Sequence, residues 1–247
     1  MRRFIKMPKI LFEYDDHMRG ESELATIPIQ CHRKLVNVFI MIARYQSMID
    51  QYSWISMYDV LERYGCKMPK DKPRAYHEVL GVLRYMESEG YFEVVSPTPL
   101  SEEPNYKIGL KLKTNPSVFF PERYFFELLI EEIDTVSEIA AENNMNFDML
   151  ITTYCYVRYR CNTSREKEKQ FYMLPKNLLP VIDYTGKASD KDYTVETVSK
   201  ALDLFTKETT NYLSLLKKTK NAKKVVSYKE NKDYKKKDMK FPIPRKF

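Results

Sequence analysis

The chain has little glycine and cysteine and no long apolar run. Only six of its 247 residues are glycine, and neither a GxxxxGK(S/T) pattern nor another glycine-rich loop for a phosphate group occurs. The four cysteines, Cys31, Cys66, Cys155 and Cys161, form no CxxC pair of the kind that zinc sites use. The apolar runs are far shorter than the roughly 18 to 20 residues of a membrane span. We therefore expect no cofactor, no metal site and no membrane association.

Motifs of the common catalytic mechanisms are also missing. The three histidines, His17, His32 and His77, are too dispersed in the sequence to suggest a catalytic pair, and no GxSxG, HExxH or protein-kinase pattern occurs. The first 16 residues contain two arginines but no apolar core of signal-peptide length. We expect a cytoplasmic protein that is not an enzyme and has no catalytic residues.

Charge is distributed unevenly along a chain of globular composition, with 43% hydrophobic and 30% charged residues. Its length suits one large domain or two small ones. The net charge is +7, yet the last 31 residues carry 13 Lys and Arg against three acidic residues, which leaves the preceding 216 residues slightly acidic. A basic end is typical either of a nucleic-acid-binding arm or of a solvated tail. Tyr228, Tyr234 and Phe241 lie among its lysines, where they could stack on bases.

Two shorter stretches differ in sign. Residues 121–148 hold eight carboxylates and a single arginine, so this stretch would repel a duplex and suits a basic protein partner. Residues 63–84 hold six Lys and Arg. We expect the body of the protein to meet DNA through this second stretch.

Hydrophobic spacing in the first half predicts a helix, a strand, two helices and a hairpin. Residues 1–30 lack clear periodicity and predict an arm or a short strand. The remaining predictions are an amphipathic helix over residues 33–49, an extended stretch over 52–55, a short helix over 57–64 with Ser56 as its N-cap, a helix over 73–89 that Gly90 ends, and strands over 91–95 and 106–112.

The second half repeats this plan more loosely. The predicted elements are helices over residues 121–142 and 147–159, a short strand over 171–173, a short helix that Pro175 begins, a long helix over 193–216 and a final strand over 223–228.

Helix, short strand, short helix, longer helix and hairpin is the order of a winged helix-turn-helix, and the segment ISMYDVLERYG…KPRAYHEVLGVLRYMESEGYFEVV resembles one. Two such units with a basic segment resemble the theta-type plasmid replication initiators of low-GC Gram-positive bacteria. This resemblance implies a mainly α fold with short β-hairpins, of the α+β class. The implied division is an arm over residues 1–30, winged helices over 31–115 and 116–229, and a basic, disordered tail over 230–247.

In a helix-turn-helix the N-terminal part of the second helix enters the major groove. We expect the lysines of the preceding turn to contact phosphates, Arg74 to contact phosphate or guanine, and Glu78 to contact cytosine or orient Arg74. The candidate DNA-binding residues of the first unit are Lys67, Lys70, Lys72, Arg74, His77, Glu78, Gly81 and Arg84. Those of the second unit and the basic end are Lys187, Lys191, Lys200, Lys217, Lys218, Lys220, Lys223 and Lys224.

The sequence thus favours a plasmid or phage replication initiator that binds double-stranded DNA sequence-specifically. Such a protein would be associated with the nucleoid through its DNA. A transcriptional regulator of the same fold is the first alternative. The second is an adaptor whose winged helices bind proteins, with residues 121–148 as a docking face for a replication or transcription partner. The helix over residues 73–89 could also be the contact of a homodimer, for which Tyr85 and Met86 are suited.

Overall fold

The computed structural model describes residues 4–13, 27–47, 51–63, 74–96, 99–102, 109–163, 170–183, 192–205, 213–218 and 223–228. Within these ranges the fold is mainly helical with small antiparallel sheets. This confirms the predicted α+β class. Buried residues from both halves of the chain form one hydrophobic core.

The first half begins with a strand and ends with a three-stranded sheet. Its elements are β1 (Phe4–Pro8), a 3-10 helix (Lys9–Phe12), α1 (Pro28–Cys31), α2 (Leu35–Arg44), β2 (Tyr52–Ser56), α3 (Met57–Arg63), α4 (Arg74–Ser88), β3 (Phe92–Ser96), a second 3-10 helix (Leu100–Glu102) and β4 (Gly109–Thr114). The sheet is antiparallel in the order β2–β4–β3, so the last strand lies between the other two.

The start of α3 and the end of α4 lie where the sequence predicts them. Ser56 Oγ accepts a hydrogen bond from the backbone N of Asp59 at 3.0 Å, which confirms Ser56 as the N-cap of α3. After α4 the chain reverses at Gly90, whose φ of +69° glycine adopts without steric cost. The backbone N of Tyr91 then donates to the carbonyl of Met86 at 2.8 Å.

The second half repeats the order of the first. Its elements are α5 (Pro116–Phe119), β5 (Phe125–Leu129), α6 (Ile130–Asn143), α7 (Phe147–Thr163), β6 (Gln170–Tyr172), α8 (Pro175–Ile182), α9 (Val195–Leu204), β7 (Leu213–Lys218) and β8 (Lys223–Tyr228). The sheet order is β6–β8–β7, again with the last strand in the middle. Thus α7–β6–α8–α9–β7–β8 corresponds, element by element, to α2–β2–α3–α4–β3–β4.

The prediction of a helix over residues 121–142 is wrong in its first part. Phe125–Leu129 forms β5, which pairs antiparallel with β1 from the predicted N-terminal arm. Phe126 and Leu128 are buried while Glu127 between them is exposed, which is the two-residue period of a strand. Pairing with a strand that is distant in sequence overrides the local helical spacing.

The predicted helix over residues 193–216 is also too long. The helix that forms, α9, spans only Val195–Leu204. Leu213–Lys218 forms the strand β7. β7 pairs with β8, and Leu215 lies opposite Val226. Backbone pairing with β8 therefore replaces the helix that the apolar spacing predicts for the end of this segment.

The helix predicted over residues 33–49 is shorter than expected and is enclosed on all sides. It spans Leu35–Arg44, and every residue from 35 to 43 is buried. α2 is enclosed because it packs against β2 and α4 of its own half and against α7 of the second half. Tyr45, which the spacing placed on the apolar face, is 52% exposed.

The two halves are joined by polar contacts around α1 and α8. Arg33 donates from Nε and Nη2 to the two carboxylate oxygens of Asp183, at 2.9 and 2.7 Å. Its guanidinium carbon also lies 4.2 Å from the ring centroid of Tyr193. Gln30 Nε2 donates to the carbonyl of Pro180. The bidentate geometry on Asp183 gives this junction a defined orientation.

A buried ionic network fixes β5 and α6 on α7. Tyr154 Oη donates to Glu132 Oε1 at 2.6 Å, and Arg158 Nε lies 3.0 Å from the same oxygen. Glu132 Oε2 accepts from the backbone N of Leu129 at 2.7 Å, and Arg158 Nη2 donates to the carbonyl of Glu127 at 2.7 Å. Burial, reinforced by the Glu132 carboxylate, raises the pKa of Tyr154, which keeps the phenol protonated as a donor.

Replacing Glu132 by glutamine is expected to lower the free energy of unfolding by about 3–5 kcal/mol, because the buried Arg158 loses its counter-charge. Glu138→Gln is the matched control, since Glu138 is exposed on the same helix. It should leave the stability almost unchanged. Urea denaturation followed by circular dichroism measures both variants, and equal midpoints would contradict the role given to Glu132.

Candidate nucleic-acid interface

α4 turns one face towards the core and the other outward, as its spacing predicts. The buried residues are Tyr76, Val79, Leu80, Val82, Leu83 and Met86. The exposed residues include Arg74, His77, Glu78, Gly81, Arg84 and Ser88. All five predicted DNA-binding residues of α4 therefore share one exposed face.

Arg74 is the most prominent cation of this face, with a side chain that is 80% exposed. Its Nε donates to Glu78 Oε1 at 2.8 Å, one helical turn away. The other carboxylate oxygen of Glu78 lies 3.6 Å from Nζ of Lys34, and that ammonium also contacts Asp148 Oδ2 at 2.7 Å. The largely buried Lys34 therefore fixes the carboxylate of Glu78 through the oxygen that does not accept from Arg74. This geometry favours the orienting role of Glu78 over contact with cytosine.

Lys34 is the residue of this site that the sequence analysis missed. Asp148 accepts its ammonium together with Nδ2 of Asn37, at 3.0 Å, at the contact between α2 and α7. These partners lie far apart in the sequence, so no local spacing could have identified the group. Through Lys34 the exposed face of α4 is tied to the junction between the two halves.

Arg84 has backbone partners that were not predicted. Its Nε and Nη2 donate to the carbonyl of Leu100 at 3.0 and 2.8 Å, and Nη2 also approaches the carbonyl of Ser101 at 3.3 Å. Leu100 itself is buried. Arg84 therefore anchors the 3-10 helix Leu100–Glu102 to α4. Contact of Arg84 with DNA stays a prediction.

His77 and Gly81 lie between these two arginines. The ring of His77 meets Tyr76 edge-on, with centroids 5.3 Å apart. A Cβ placed on Gly81 would have nothing within 4 Å, so the surface beside it is open. A ligand could reach the helix backbone at this point without displacing a side chain.

Lysines of the second unit converge at one end of the β7–β8 hairpin. The strand register places Lys217 opposite Lys224 and Lys218 opposite Lys223. The backbone thus brings four of the predicted phosphate-binding residues to one place. Lys200 is exposed on α9.

The remaining candidate residues lie outside the part of the chain that the structure describes. They are Lys67, Lys70, Lys72, Lys187, Lys191 and Lys220, and the predicted tail over residues 230–247 lies outside it as well.

His32 is excluded as a cationic contact. Its ring packs on Tyr85 of α4, with centroids 4.2 Å apart. Burial lowers the pKa of His32 below its usual value of 6.5. The imidazole is therefore neutral near pH 7 and offers no charge to a phosphate.

Comparison with protein-family models, curated proteins and solved structures gives no match to this chain. Within the described ranges, no group of three or more His, Cys, Asp or Glu side chains is arranged to hold a metal ion. None of the helices in the same ranges combines the length and apolar character of a membrane span. The assignment of a function therefore depends on α4 and on the β7–β8 hairpin.

Replacing Arg84 by alanine should loosen the segment after β3, because the carbonyls of Leu100 and Ser101 lose their donor. Hydrogen–deuterium exchange is expected to become faster at residues 99–102. Arg74→Ala is the matched control on the same helix face and should leave exchange there unchanged. Unaltered exchange in Arg84→Ala would show that the guanidinium does not anchor this segment.

Proposed function

We propose that the chain binds double-stranded DNA sequence-specifically through two tandem winged-helix units. The order helix, strand, helix, helix, strand, strand occurs twice, each time with the last strand in the middle of its sheet. That order is the one in which a winged helix-turn-helix is built. In this arrangement α4 and α9 are the helices that face the major groove, and β7–β8 is the wing of the second unit.

The lysines of the β7–β8 hairpin are the observation that carries the proposal. The strand register brings Lys217, Lys218, Lys223 and Lys224 to the same end of the hairpin. Each phosphate that a lysine neutralises releases a counterion from the duplex, and this release favours binding. The hairpin end therefore has the charge that a DNA backbone contact requires, at positions fixed by the strand register.

α4 supplies the residue that reads bases. Arg74 is exposed at the N-terminal end of the helix, and Glu78, held by Lys34, limits the directions in which it can point. An arginine oriented in this way is able to bind guanine through two parallel hydrogen bonds. The hairpin lysines then position the protein, while Arg74 contributes sequence preference.

The biological role we favour is replication initiation on a plasmid or phage, in line with the resemblance to theta-type initiators. A homodimer binding repeated sites would suit that role, since dimers bind half-sites one helical turn apart. A transcriptional regulator is the alternative within the same class. It would repress its own promoter without an effect on the melting of an origin.

A protein-binding adaptor is the candidate from another class. α6 exposes Asp134, Glu138 and Glu142 along one side, and Arg44 lies 3.5 Å from Asp134. This acidic side would suit a basic partner protein. In the adaptor alternative, DNA binding arises from the basic end alone and does not depend on sequence.

The proposal is tested by binding of the full chain to duplexes from its own gene neighbourhood and to random duplexes over a range of salt. Arg74→Ala should lose the preference for the preferred duplex, with an affinity loss that corresponds to about 1–3 kcal/mol. Replacing the four hairpin lysines by alanine should weaken binding to both duplexes alike. The slope of log affinity against log salt should then fall by about 3 to 4 in magnitude.

Arg123→Ala is the matched control, because it removes the same charge from the acidic stretch over residues 121–148. It should change neither the affinity nor the slope. Equal binding of the unaltered chain to every duplex would contradict the proposal and favour the adaptor alternative.

A further inference from the structure

The outward face of the β2–β4–β3 sheet carries two aromatic rings and two lysines. In the strand register Tyr52 lies opposite Lys113 and Trp54 opposite Lys111, and residues directly opposite each other share a face of the sheet. Glu93 of β3, opposite Lys113, adds a carboxylate. The face therefore combines aromatic surface with an excess of positive charge.

Trp54 is the single tryptophan of the chain, and it is 57% exposed. Tryptophan is highly buried on average in folded proteins, so this exposure is unusual. A Cβ placed on Gly109 would lie 3.7 Å from Cε3 of Trp54, which shows that the indole leans over the β4 backbone. One part of the ring is thus supported by the sheet, and more than half of the side chain is open to solvent.

Lys111 places its ammonium between the two rings. Its Nζ lies 4.2 Å from the ring centroid of Tyr52 and 5.8 Å from that of Trp54. The π-electrons of the rings attract this cation and hold it at the sheet surface. Lys113 is exposed on the same strand.

We propose that this face, defined by Tyr52, Trp54, Lys111 and Lys113, binds single-stranded nucleic acid. Aromatic faces that stack on bases, beside cations that follow the phosphates, are the features of such sites. Tyr52 and Trp54 stand two residues apart on one strand, about 7 Å, a separation that neighbouring bases of an extended single strand can span. The bases of an intact duplex are stacked on each other and do not offer their faces to Trp54. The site is therefore distinct from α4 and the β7–β8 hairpin.

Trp54 is itself the reporter for the test. The full chain is titrated with single-stranded oligo-dT and oligo-U of about 12 nucleotides while tryptophan fluorescence is recorded. Saturable quenching is expected, because a stacked base quenches the indole. A duplex of matched charge should quench far less. Other lysines contribute to the total affinity, whereas the fluorescence of Trp54 reports occupancy beside its own ring.

Variants connect the signal to the face. Trp54→Ala should weaken binding of a labelled oligonucleotide, measured by anisotropy, by about 5- to 150-fold. The double change Lys111→Ala and Lys113→Ala should reduce the slope of log affinity against log salt by about 1.4 in magnitude. Lys176→Ala is the matched control, since Lys176 is exposed on α8, and it should leave both quantities unchanged.

Three results would overturn the proposal. The first is a titration without quenching, and the second is quenching that is unaltered in the double lysine variant. The third is Trp54 emission that changes with protein concentration before any oligonucleotide is added, which would make the face a contact between two copies of the chain. None of these results bears on duplex recognition, which is measured separately with Arg74→Ala.

Discussion

The carboxylate of Asp148 joins the two halves of the molecule, and the geometry of the proposed DNA-binding face depends on it. Asp148 is 2% exposed in α7 and accepts from Lys34 and Asn37 of α2. A buried carboxylate without its partners would be strongly unfavourable, so these contacts keep α2 and α7 together. Because Lys34 also approaches Glu78, which accepts from Arg74, the same group of contacts orients the side chain of Arg74 on α4.

Other contacts extend this junction along the molecule. β1 pairs with β5, and Arg33 donates from Nε and Nη2 to the two carboxylate oxygens of Asp183. The repeated units are therefore not independent modules on a linker but parts of one core. In the proposed DNA-binding role, the shared core would present α4 of the first unit and the hairpin of the second to a duplex in a fixed relation.

Local signals in the sequence explain part of this architecture. The hydroxyl of Ser56 and the conformation of Gly90 mark helix ends within a few residues, and the apolar period of α4 identifies its outward face, including Arg74. Contacts between distant segments leave no local signal. For this reason β5 was predicted as helix although it pairs with β1, and the role of Lys34 was missed because both of its acidic partners are remote in the sequence.

The central claim is that the two halves form one cooperative body. Equilibrium unfolding in urea tests it most directly, with Trp54 fluorescence reporting on the first half and far-UV circular dichroism on all helices. The account predicts that the two transitions coincide, with the same midpoint and slope, because loss of either half removes the partners of the other. A Trp54 transition that is complete before the circular dichroism changes would show that the halves unfold separately, and would contradict it.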